Sequence, residues 1–258
     1  MKVVILLPTY NEKGNIERII PLLEEKIFPT IKGHKMHILV ADDTSPDGTG
    51  EIAKMFMGKW NNIELSLGKK KGLGAATLRG FTYAFEKMNA DVLIDMDADL
   101  SHDPTKIPEF IKKIDQGFDV VVATRYSMGG SIPKDWGVHR KFLSYFGNLF
   151  IQSVFMAWTI HDWTGSYRAV RKEVFFKEKP YLSSYSGNTF LIAFLHRAFR
   201  DGFKVAEVPI VFIDRTMGKS KIIPTAYMND AMRYVLKERV KELLGQRSLS
   251  HDMLKQEA

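Results

Sequence analysis

The sequence of 258 residues contains no cysteine, which excludes disulfide bonds and metal sites built from thiolates. Its charge is modest, because 37 basic and 30 acidic residues give a net charge of +7. These charges are dispersed, so they do not indicate a nucleic-acid partner, although they suit phosphate ligands or an anionic membrane surface. The apolar start MKVVILLP lacks a following small-residue cleavage site, and we interpret it as a buried strand rather than a signal peptide.

Short apolar runs alternate with helical patterns through the first half of the chain. The runs predict strands at residues 2–8, 36–42, 62–67, 91–96 and 118–124. Helices are predicted from about Asn15, after Thr49, over about 74–89, and from Pro104, where Asp103 provides a cap. This order predicts an α/β fold in which right-handed crossovers build a doubly wound sheet.

Polar segments follow four of these predicted strands. They read PTYNE after the first strand, DDTSPDG after the second, DADLSHDP after the fourth and TRY after the fifth. Ligands of open α/β sheets bind at the carboxyl ends of the strands. The clustering therefore predicts a binding site at this edge of the sheet.

The segment IDMDADLSHDP concentrates negative charge at the end of a buried strand. Asp97 and Asp99, with Ser101 nearby, can supply hard oxygen ligands to Mg²⁺ or Mn²⁺, and diphosphate oxygens can complete the coordination. The alternative is a turn in which the aspartates cap backbone N–H groups. We interpret Asp95 as a structural carboxylate or as one that lies behind the metal ligands, and His102 as a turn residue rather than a metal ligand.

The second strand exit presents Asp42 and Asp43 before the turn SPDG. A carboxylate here can accept a hydrogen bond from a base or a ribose hydroxyl, and the alternative is again turn capping. Residues 69–80, KKKGLGAATLRG, match neither established glycine-rich phosphate fingerprint. Lys71 in this loop is nevertheless a candidate phosphate contact.

Residues 142–160 form an uncharged stretch, which as a helix would extend roughly 28 Å. Ser144, Asn148 and Gln152 place a polar stripe along one side of such a helix. This pattern favours a helix at a membrane interface; a core or dimer helix is the next alternative. A single crossing would separate the polar motifs onto opposite sides of the membrane, which disfavours a span.

Seven motifs occur in the order found in dolichyl-phosphate mannose synthases: LPTYNE, DDTSPDG, GLGAA, DMDADLSHDP, TRY, TGSYR and VPIVFIDRTMGKSK. Over residues 3–223 the sequence resembles this branch of glycosyltransferase family 2. The resemblance implies a GT-A fold, with a Rossmann-like mixed sheet flanked by helices, as a single catalytic domain over residues 1–223. Residues 224–258 are then expected to form a C-terminal amphipathic helix and tail.

The resemblance also implies an activity: metal-dependent, inverting transfer of mannose from GDP-mannose to dolichyl or polyprenyl phosphate for protein or cell-surface glycosylation. Carried over residue by residue, it implies nucleotide-sugar contacts at Pro8, Tyr10, Glu12, Val40, Asp42, Asp97, Ala98, Asp99, Arg125, Arg140, Arg215 and Lys221. Metal ligands are implied at Asp97, Asp99 and Ser101. Catalytic roles are implied for Asp99, Arg125, Arg215 and Lys221.

A lipid monophosphate acceptor explains why cations matter more than a base at such a site. Its second pKa is about 6, so near pH 7 it is already mostly a nucleophilic dianion. The site must instead offset repulsion between this anion and the donor diphosphate. In the segment DWTGSYR, Asp162 and Arg168 are interpreted either as a structural pair or as part of the acceptor channel.

Other functions remain open from the residues alone. The fold also serves transfer from UDP-glucose to polyprenyl phosphate, or transfer to a carbohydrate hydroxyl. The sequence has no Q-x-x-R-W segment, which disfavours a processive polysaccharide synthase. A non-enzymatic membrane-docking subunit is disfavoured, because the sequence retains the acidic pair and the basic residues of the implied site: Asp97, Asp99, Arg125, Arg215 and Lys221.

The sequence lacks the transmembrane tail that many related enzymes carry. We therefore expect a peripheral protein on the cytoplasmic face of a membrane. It would reach its lipid through the interfacial helix or through a separate transmembrane partner subunit.

Overall fold

The predicted alternation of strands and helices is present in a computed structural model that describes residues 1–70, 73–182, 185, 187–214 and 224–245. The strands are β1 (Lys2–Thr9), β2 (Lys35–Asp42), β3 (Ile63–Leu67), β4 (Val92–Asp95), β5 (Val120–Thr124), β6 (Arg168–Arg171) and β7 (Val205–Pro209). The helices are α1 (Lys13–Leu22), α2 (Thr49–Lys59), α3 (Leu73–Glu86), α4 (Ile107–Asp115), α5 (Val138–Phe155), α6 (Lys172–Leu182), α7 (Gly187–Arg200) and α8 (Pro224–Leu243). The five predicted strands are all present.

The seven strands form one mixed sheet in the order β3-β2-β1-β4-β6-β5-β7. β6 runs antiparallel to both β4 and β5, and the other pairs are parallel. The mixed sheet implied by the family resemblance is confirmed. The five strands predicted from apolar runs, β1 to β5, all run in the same direction, and the reversal occurs at β6, which the runs did not predict. That strand reads RAVR, so its short apolar centre between two arginines gives no strand signal. The carboxyl ends of β1, β2, β4 and β5 share one edge, as predicted.

Helices cover both faces of the sheet, and β1 shows how the sequence achieves this. Val3, Ile5 and Leu7 belong to one hydrophobic cluster, which includes residues of α1, α2 and α4. Val4 and Leu6 point to the opposite cluster, which includes residues of α3 and α5 to α8. Because alternate residues of a strand face opposite sides, a continuous apolar run is what a central strand buried on both faces requires.

Helix α5 runs from Val138 to Phe155, so it covers most of the uncharged stretch 142–160. Its polar stripe faces inward. Ser144 lies 2.5 Å from the Tyr126 hydroxyl, and the Asn148 side-chain oxygen accepts a 2.8 Å hydrogen bond from the backbone of Trp163. These bonds connect α5 to the strand exits and leave its apolar side to solvent.

The outward side of α5 is aromatic and aliphatic. Phe142, Tyr145 and Phe146 are 56%, 52% and 46% exposed, and Leu149 is also exposed. Within the described residues, however, no helix combines the length and the apolar character needed to cross a bilayer. The exposed side of α5 is an apolar surface.

Helix α8 confirms the predicted helix after Pro224. Tyr234 and Val235 are buried in the same cluster as parts of α5 and α7. The His196 ring of α7 lies between two α8 side chains, 3.0 Å from the Tyr234 hydroxyl and 2.8 Å from a Glu242 oxygen. The predicted tail beyond Gly245 lies outside the described residues, and the boundary at residue 224 stays a prediction.

We expect Gly80→Ala to destabilise the fold, because an added Cβ in α3 would lie 2.6 Å from a methyl of the buried Leu6. Overpacking of this kind costs about 1–3 kcal/mol. Gly147→Ala in α5 is the matched control, since its Cβ would meet nothing within 4 Å. Alanine there should add up to about 1 kcal/mol of helix stability. Urea unfolding measures both variants, and equal midpoints would contradict the close approach of α3 to β1.

Candidate active site

The loops after β1, β2 and β4 share an uncommon backbone feature. Asn11, Thr44 and Leu100 have φ values of 59°, 54° and 62°, in the left-handed region that non-glycine residues seldom adopt. Hydrogen bonds fix the first two loops: the Asn11 N–H donates to Ser45 Oγ at 2.9 Å, and Thr44 Oγ1 donates to the Gly68 carbonyl at 2.8 Å. Such conformations persist only where the surroundings enforce them.

Asp42 holds together the loops after β1 and β2. Its Oδ1 accepts hydrogen bonds from Thr9 Oγ1 at 2.9 Å and from Ser45 Oγ at 2.5 Å, and its Oδ2 accepts from the Ser45 N–H at 2.8 Å. The side chains of Asp42 and of Val40 in β2 are both buried. Turn capping is therefore what Asp42 does in this structure, and a nucleoside contact for either residue stays a prediction.

Pro8, Tyr10 and Glu12 lie at the exit of β1 and are partly exposed. The Lys70 ammonium lies 3.6 Å from the centre of the Tyr10 ring, which places a positive charge on an aromatic face. The Glu12 carboxylate accepts a 2.6 Å hydrogen bond from the side-chain amide of Asn15. These three predicted nucleotide contacts therefore lie together, partly exposed, at the exit of β1.

Asp43 and the glycine-rich segment are linked by an arginine that the sequence did not single out. Arg79 of α3 donates to Asp43 Oδ1 at 2.8 Å. Its guanidinium lies against Gly68, where an added Cβ would come within 2.0 Å of Nη1. Asp43 thus acts as a structural ion-pair partner, and Lys71 lies outside the described residues.

Asp95 is buried at the end of β4, opposite Arg168 of β6. Burial raises the pKa of Asp95 well above its usual value, and the negative charge of Asp97 adds to this effect against the charge of Arg168. Burial also lowers the pKa of Arg168 to about 10. The burial of Asp95 agrees with its interpretation as a structural carboxylate.

Asp97 and Asp99 differ in their surroundings. The Asp97 side chain is 36% exposed and accepts a long 3.4 Å hydrogen bond from Ser166 Oγ. Asp99 is buried, and its Oδ1 accepts a 3.0 Å hydrogen bond from the backbone N–H of Ser101. Ala98 and Ser101 are buried as well. Residues 97–102, which we call the acidic turn, are therefore held partly by a hydrogen bond to their own backbone. Asp97 is the more accessible of the two carboxylates.

His102 orders the acidic turn from within. Its Nδ1 accepts a 3.0 Å hydrogen bond from the Asp97 N–H, and its ring stacks on Tyr167 at 4.9 Å. Burial lowers the pKa of His102, although the charges of Asp97 and Asp99 oppose this shift. A neutral ring that accepts at Nδ1 carries its proton on Nε2, so it has no lone pair for a metal. This geometry agrees with a turn residue rather than a ligand.

The carboxylate oxygens at this turn suit a divalent cation that a bound ligand helps to coordinate. Asp97 and Asp99 supply hard carboxylate oxygens, and no cluster of three or more acidic, histidine or cysteine side chains suited to a metal occurs among the described residues. Mg²⁺ is commonly held by one or two carboxylates, with substrate phosphates and water completing its coordination. The residues present therefore fit a metal bound together with a diphosphate, not a metal held by protein alone.

Arg125, the first residue after β5, is paired with Asp162. Its Nε and Nη2 donate to the two Asp162 oxygens at 2.7 and 2.8 Å, and Nη2 also donates to Thr164 Oγ1 at 2.8 Å. Burial disfavours both charges, but the pairing raises the pKa of Arg125 and lowers that of Asp162. A structural pair between Asp162 and Arg168 is therefore wrong. Arg168 instead donates to the Leu191 carbonyl at 3.0 Å.

Arg140 lies near the start of α5, with its guanidinium 3.6 Å from the centre of the Trp136 ring. Its Nη1 is 3.5 Å from Asp214 Oδ2, the same oxygen that accepts a 2.8 Å hydrogen bond from Trp136 Nε1. Asp214 directly precedes Arg215 in sequence. Arg215 and Lys221 lie outside the described residues, so their roles stay predictions.

Phe212 connects the parts of this site. Its ring centre lies 6.0 Å from the His102 ring, 5.7 Å from the Arg125 guanidinium carbon and 6.1 Å from the Trp136 ring. Sequence reasoning did not identify Phe212, although it lies within the quoted motif VPIVFIDRTMGKSK. The structure thus brings the acidic turn, Arg125 and the Trp136–Arg140 contact around one aromatic ring.

Comparison with known proteins agrees with this arrangement. The model of the family described as Glycosyl transferase family 2 matches residues 4–177. The chain is 35% identical over 223 residues to the polyprenol monophosphomannose synthase of Mycolicibacterium smegmatis, covering 86% of this chain and 81% of that protein. It is 31% identical over 223 residues to the undecaprenyl-phosphate mannosyltransferase of Micrococcus luteus, covering 86% of this chain and 88% of that protein.

Solved structures share the fold at lower identity. Glucosyl-3-phosphoglycerate synthase from Mycobacterium tuberculosis, crystallised with Mn²⁺, uridine diphosphate and phosphoglyceric acid, matches with a TM-score of 0.64 and 17% identity over 96% of this chain and 80% of that chain. Mannosyl-3-phosphoglycerate synthase from Rubrobacter xylanophilus matches with a TM-score of 0.63 and 18% identity, over 97% and 77% of the two chains. The mixed α/β sheet described above is the GT-A fold.

We expect Asp99→Asn to weaken Mn²⁺-dependent binding of a nucleoside diphosphate by at least about tenfold, since losing a contact to a charged group costs about 1.5–3 kcal/mol. Titration calorimetry with Mn²⁺ and with EDTA measures the metal-dependent part. Asp115→Asn, at the exposed end of α4, is the control and should bind normally. Equal affinity of wild type and Asp99→Asn under both conditions would remove the metal role.

Proposed function

The chain belongs to glycosyltransferase family 2 and is a glycosyltransferase, and we propose that it transfers mannose from GDP-mannose to a dolichyl or polyprenyl monophosphate. GDP leaves, the anomeric configuration inverts, and the product is polyprenyl-phosphate mannose for protein or cell-surface glycosylation. The two curated relatives support the mannose and the polyprenyl phosphate, because their names describe polyprenol and undecaprenyl-phosphate mannosyl transfer. The guanine base of the donor is proposed from the sequence resemblance.

One observation carries this proposal: the carboxylates beside the acidic pair are already engaged. Asp42 is bonded to Thr9 and Ser45, Asp43 to Arg79, and Asp162 to Arg125, while Asp95 is buried. A sugar-hydroxyl acceptor needs a base to take its proton. A phosphomonoester needs none, because its second pKa of about 6 leaves it mostly dianionic near pH 7. The site therefore suits a phosphate acceptor.

The chain's own cations fit the electrostatic requirement of such a reaction. A series of contacts joins the two arginines: Arg125 lies near Phe212, Phe212 near Trp136, and Trp136 near Arg140. Fixed positive charge lowers the repulsion between an attacking phosphate and a donor diphosphate. Arg215 and Lys221 are proposed as further phosphate contacts from the resemblance alone. A divalent cation, Mg²⁺ or Mn²⁺, held at Asp97 and Asp99 would neutralise the departing diphosphate.

A row of aromatic rings leads from Arg125 to the exposed side of α5. The Arg125 guanidinium carbon lies 5.2 Å from the Tyr126 ring centre, and Tyr126 lies 6.2 Å from Tyr145. Tyr145 lies 5.6 Å from Phe146, which lies 4.1 Å from Phe142. These four rings, the aromatic row, suit an isoprenoid chain whose phosphate sits at the arginine.

This placement gives α5 the role of a membrane-facing helix. Exposed aromatic and aliphatic side chains on one helix side favour binding within the headgroup region of a bilayer. We propose a peripheral protein on the cytoplasmic face, attached through α5 alone or together with a transmembrane partner subunit. The catalytic domain then comprises residues 1–223, with residues 224–258 as an appended helix and tail.

The proposed reaction predicts a specific donor and acceptor pair. Purified protein with Mn²⁺ should convert GDP-mannose and polyprenyl phosphate into a mannolipid and GDP, and it should leave UDP-glucose largely unused. Thin-layer separation of radiolabelled lipid measures the product. A glucolipid from UDP-glucose, or a product formed only with a carbohydrate acceptor, would contradict the proposal.

The aromatic row predicts a dependence on acceptor chain length. The double variant Tyr145→Ser, Phe146→Ser should raise the KM for long-chain polyprenyl phosphate by at least about tenfold, since a buried large apolar side chain contributes about 1.5–3 kcal/mol. A short water-soluble isoprenoid phosphate that cannot reach these rings should be affected less. Leu236→Ser, at an equally exposed apolar position of α8, should leave the ratio unchanged. A uniform loss on both acceptors would remove the chain-binding role.

A further inference from the structure

We propose that Asp162 is the positioning residue of Arg125, and that Glu207 holds Asp162 in the orientation this requires. The inference deepens the proposed function, on which it rests, because it names two carboxylates that act through a cation of the same site. Neither carboxylate contacts the phosphates itself. Their role is to fix where the Arg125 charge lies before the acceptor arrives.

Glu207 anchors the segment that carries Asp162. Its Oε1 accepts hydrogen bonds from the backbone N–H groups of His161 at 2.6 Å and Asp162 at 3.3 Å, and its Oε2 lies 2.7 Å from His161 Nδ1. Glu207 belongs to β7, where it pairs in register with Val122 of β5. Arg125 follows β5, three residues after Val122. The neighbouring strands β5 and β7 therefore fix the positions of both Arg125 and the residue that holds Asp162.

Asp162 fixes both the position and the orientation of the Arg125 guanidinium. Besides the two bonds to Nε and Nη2, its Oδ2 accepts the Arg125 backbone N–H at 3.2 Å. A guanidinium is planar, so a bidentate contact on one edge determines where the remaining nitrogen points. Within the described residues, Nη1 of Arg125 makes no hydrogen bond, and it is the nitrogen left for a phosphate oxygen. Tyr126 and Phe212 lie near the guanidinium at 5.2 and 5.7 Å.

The same contacts make Asp162 unsuited to act as a base. It is buried, both oxygens are bonded to the guanidinium, and its Oδ1 also accepts a 3.3 Å hydrogen bond from the Thr164 N–H. Taking up a proton would replace an ion pair with a largely buried, unpaired guanidinium, which is costly. Its contribution to the reaction is therefore geometric.

A double-mutant cycle tests whether Asp162 acts through Arg125. Asp162→Asn and Arg125→Lys should each lower kcat for mannosyl transfer on the order of 100-fold, since displacing a positioned group by about 1 Å can cost that much. GDP affinity should change far less. The double variant should be no slower than Arg125→Lys, because the second change removes an interaction that is already lost.

Two substitutions of Glu207, one severe and one conservative, provide a second test. Glu207→Ala should lower kcat about tenfold, the equivalent of about 1.4 kcal/mol for lost buried hydrogen bonds. Glu207→Gln keeps an oxygen for the two backbone N–H groups and should recover most of the activity. Thermal unfolding of all variants separates these effects from loss of the fold, which would lower activity and nucleotide affinity together.

A spectroscopic readout does not depend on the substrates. In wild type the Arg125 Nε–H, bonded to a buried carboxylate, should give a slowly exchanging ¹H–¹⁵N signal, assigned by its absence in Arg125→Lys. The signal should be lost in Asp162→Asn and kept in Glu207→Gln. If wild type forms no mannolipid, the proposed function fails, and this signal still decides whether Asp162 positions the arginine.

Several results would overturn the inference. Multiplicative losses in the double variant would show that Asp162 acts independently of Arg125. Loss of the acid limb of the pH profile in Asp162→Asn would assign it as a base. A folded Asp162→Asn variant with normal kcat, or with an unchanged Nε–H signal, would also exclude a positioning role.

Discussion

The ion pair between the partly buried Arg125 and the fully buried Asp162 joins parts of the chain that the sheet alone would leave independent. Arg125 follows β5, Asp162 precedes β6, and Glu207 holds the Asp162 backbone from β7. Removing water from two charges is expensive, and deleting one partner of such a pair typically costs about 3–5 kcal/mol. The bidentate geometry and the backbone hydrogen bonds offset that cost. The pair therefore specifies how the segment before β6 meets the end of β5, beside the acidic turn.

The sequence predicted those elements whose signals are local. Apolar runs located β1 to β5, and Asp103 caps the turn before α4 through the Thr105 N–H, as its position suggested. Two strands escaped detection: β6 is four residues long with arginines at both ends, and β7 includes Glu207. Of the two readings of Asp162 and Arg168, the structural pair was wrong, because Asp162 pairs with Arg125, which lies 37 residues away and becomes adjacent only when the antiparallel β6 enters the sheet. Pairing across a sheet is a tertiary property that residue spacing does not encode.

Helix α5 has a polar side that forms hydrogen bonds within the protein and an apolar side that is exposed. Ser144, Asn148 and Gln152 bond inward to groups around the strand exits, while the aromatic residues face outward. An isolated helix of this composition gives no indication of which side is buried. The inward hydrogen bonds decide the question. In particular, Asn148 satisfies the backbone N–H of the fully buried Trp163, which would otherwise have no partner. The candidate site and the apolar surface thus lie on two sides of the same helix, which suits the proposed transfer from a water-soluble donor to a lipid.

Three of the five described non-glycine residues with left-handed backbones, Asn11, Thr44 and Leu100, lie in the loops after β1, β2 and β4. Such residues resist alternative conformations because their neighbours hold them in place. A donor arriving at this edge therefore meets a preorganised receptor, so little of its affinity is lost to ordering flexible segments. Capture of the proposed sugar-nucleotide donor should accordingly resemble docking onto a rigid surface.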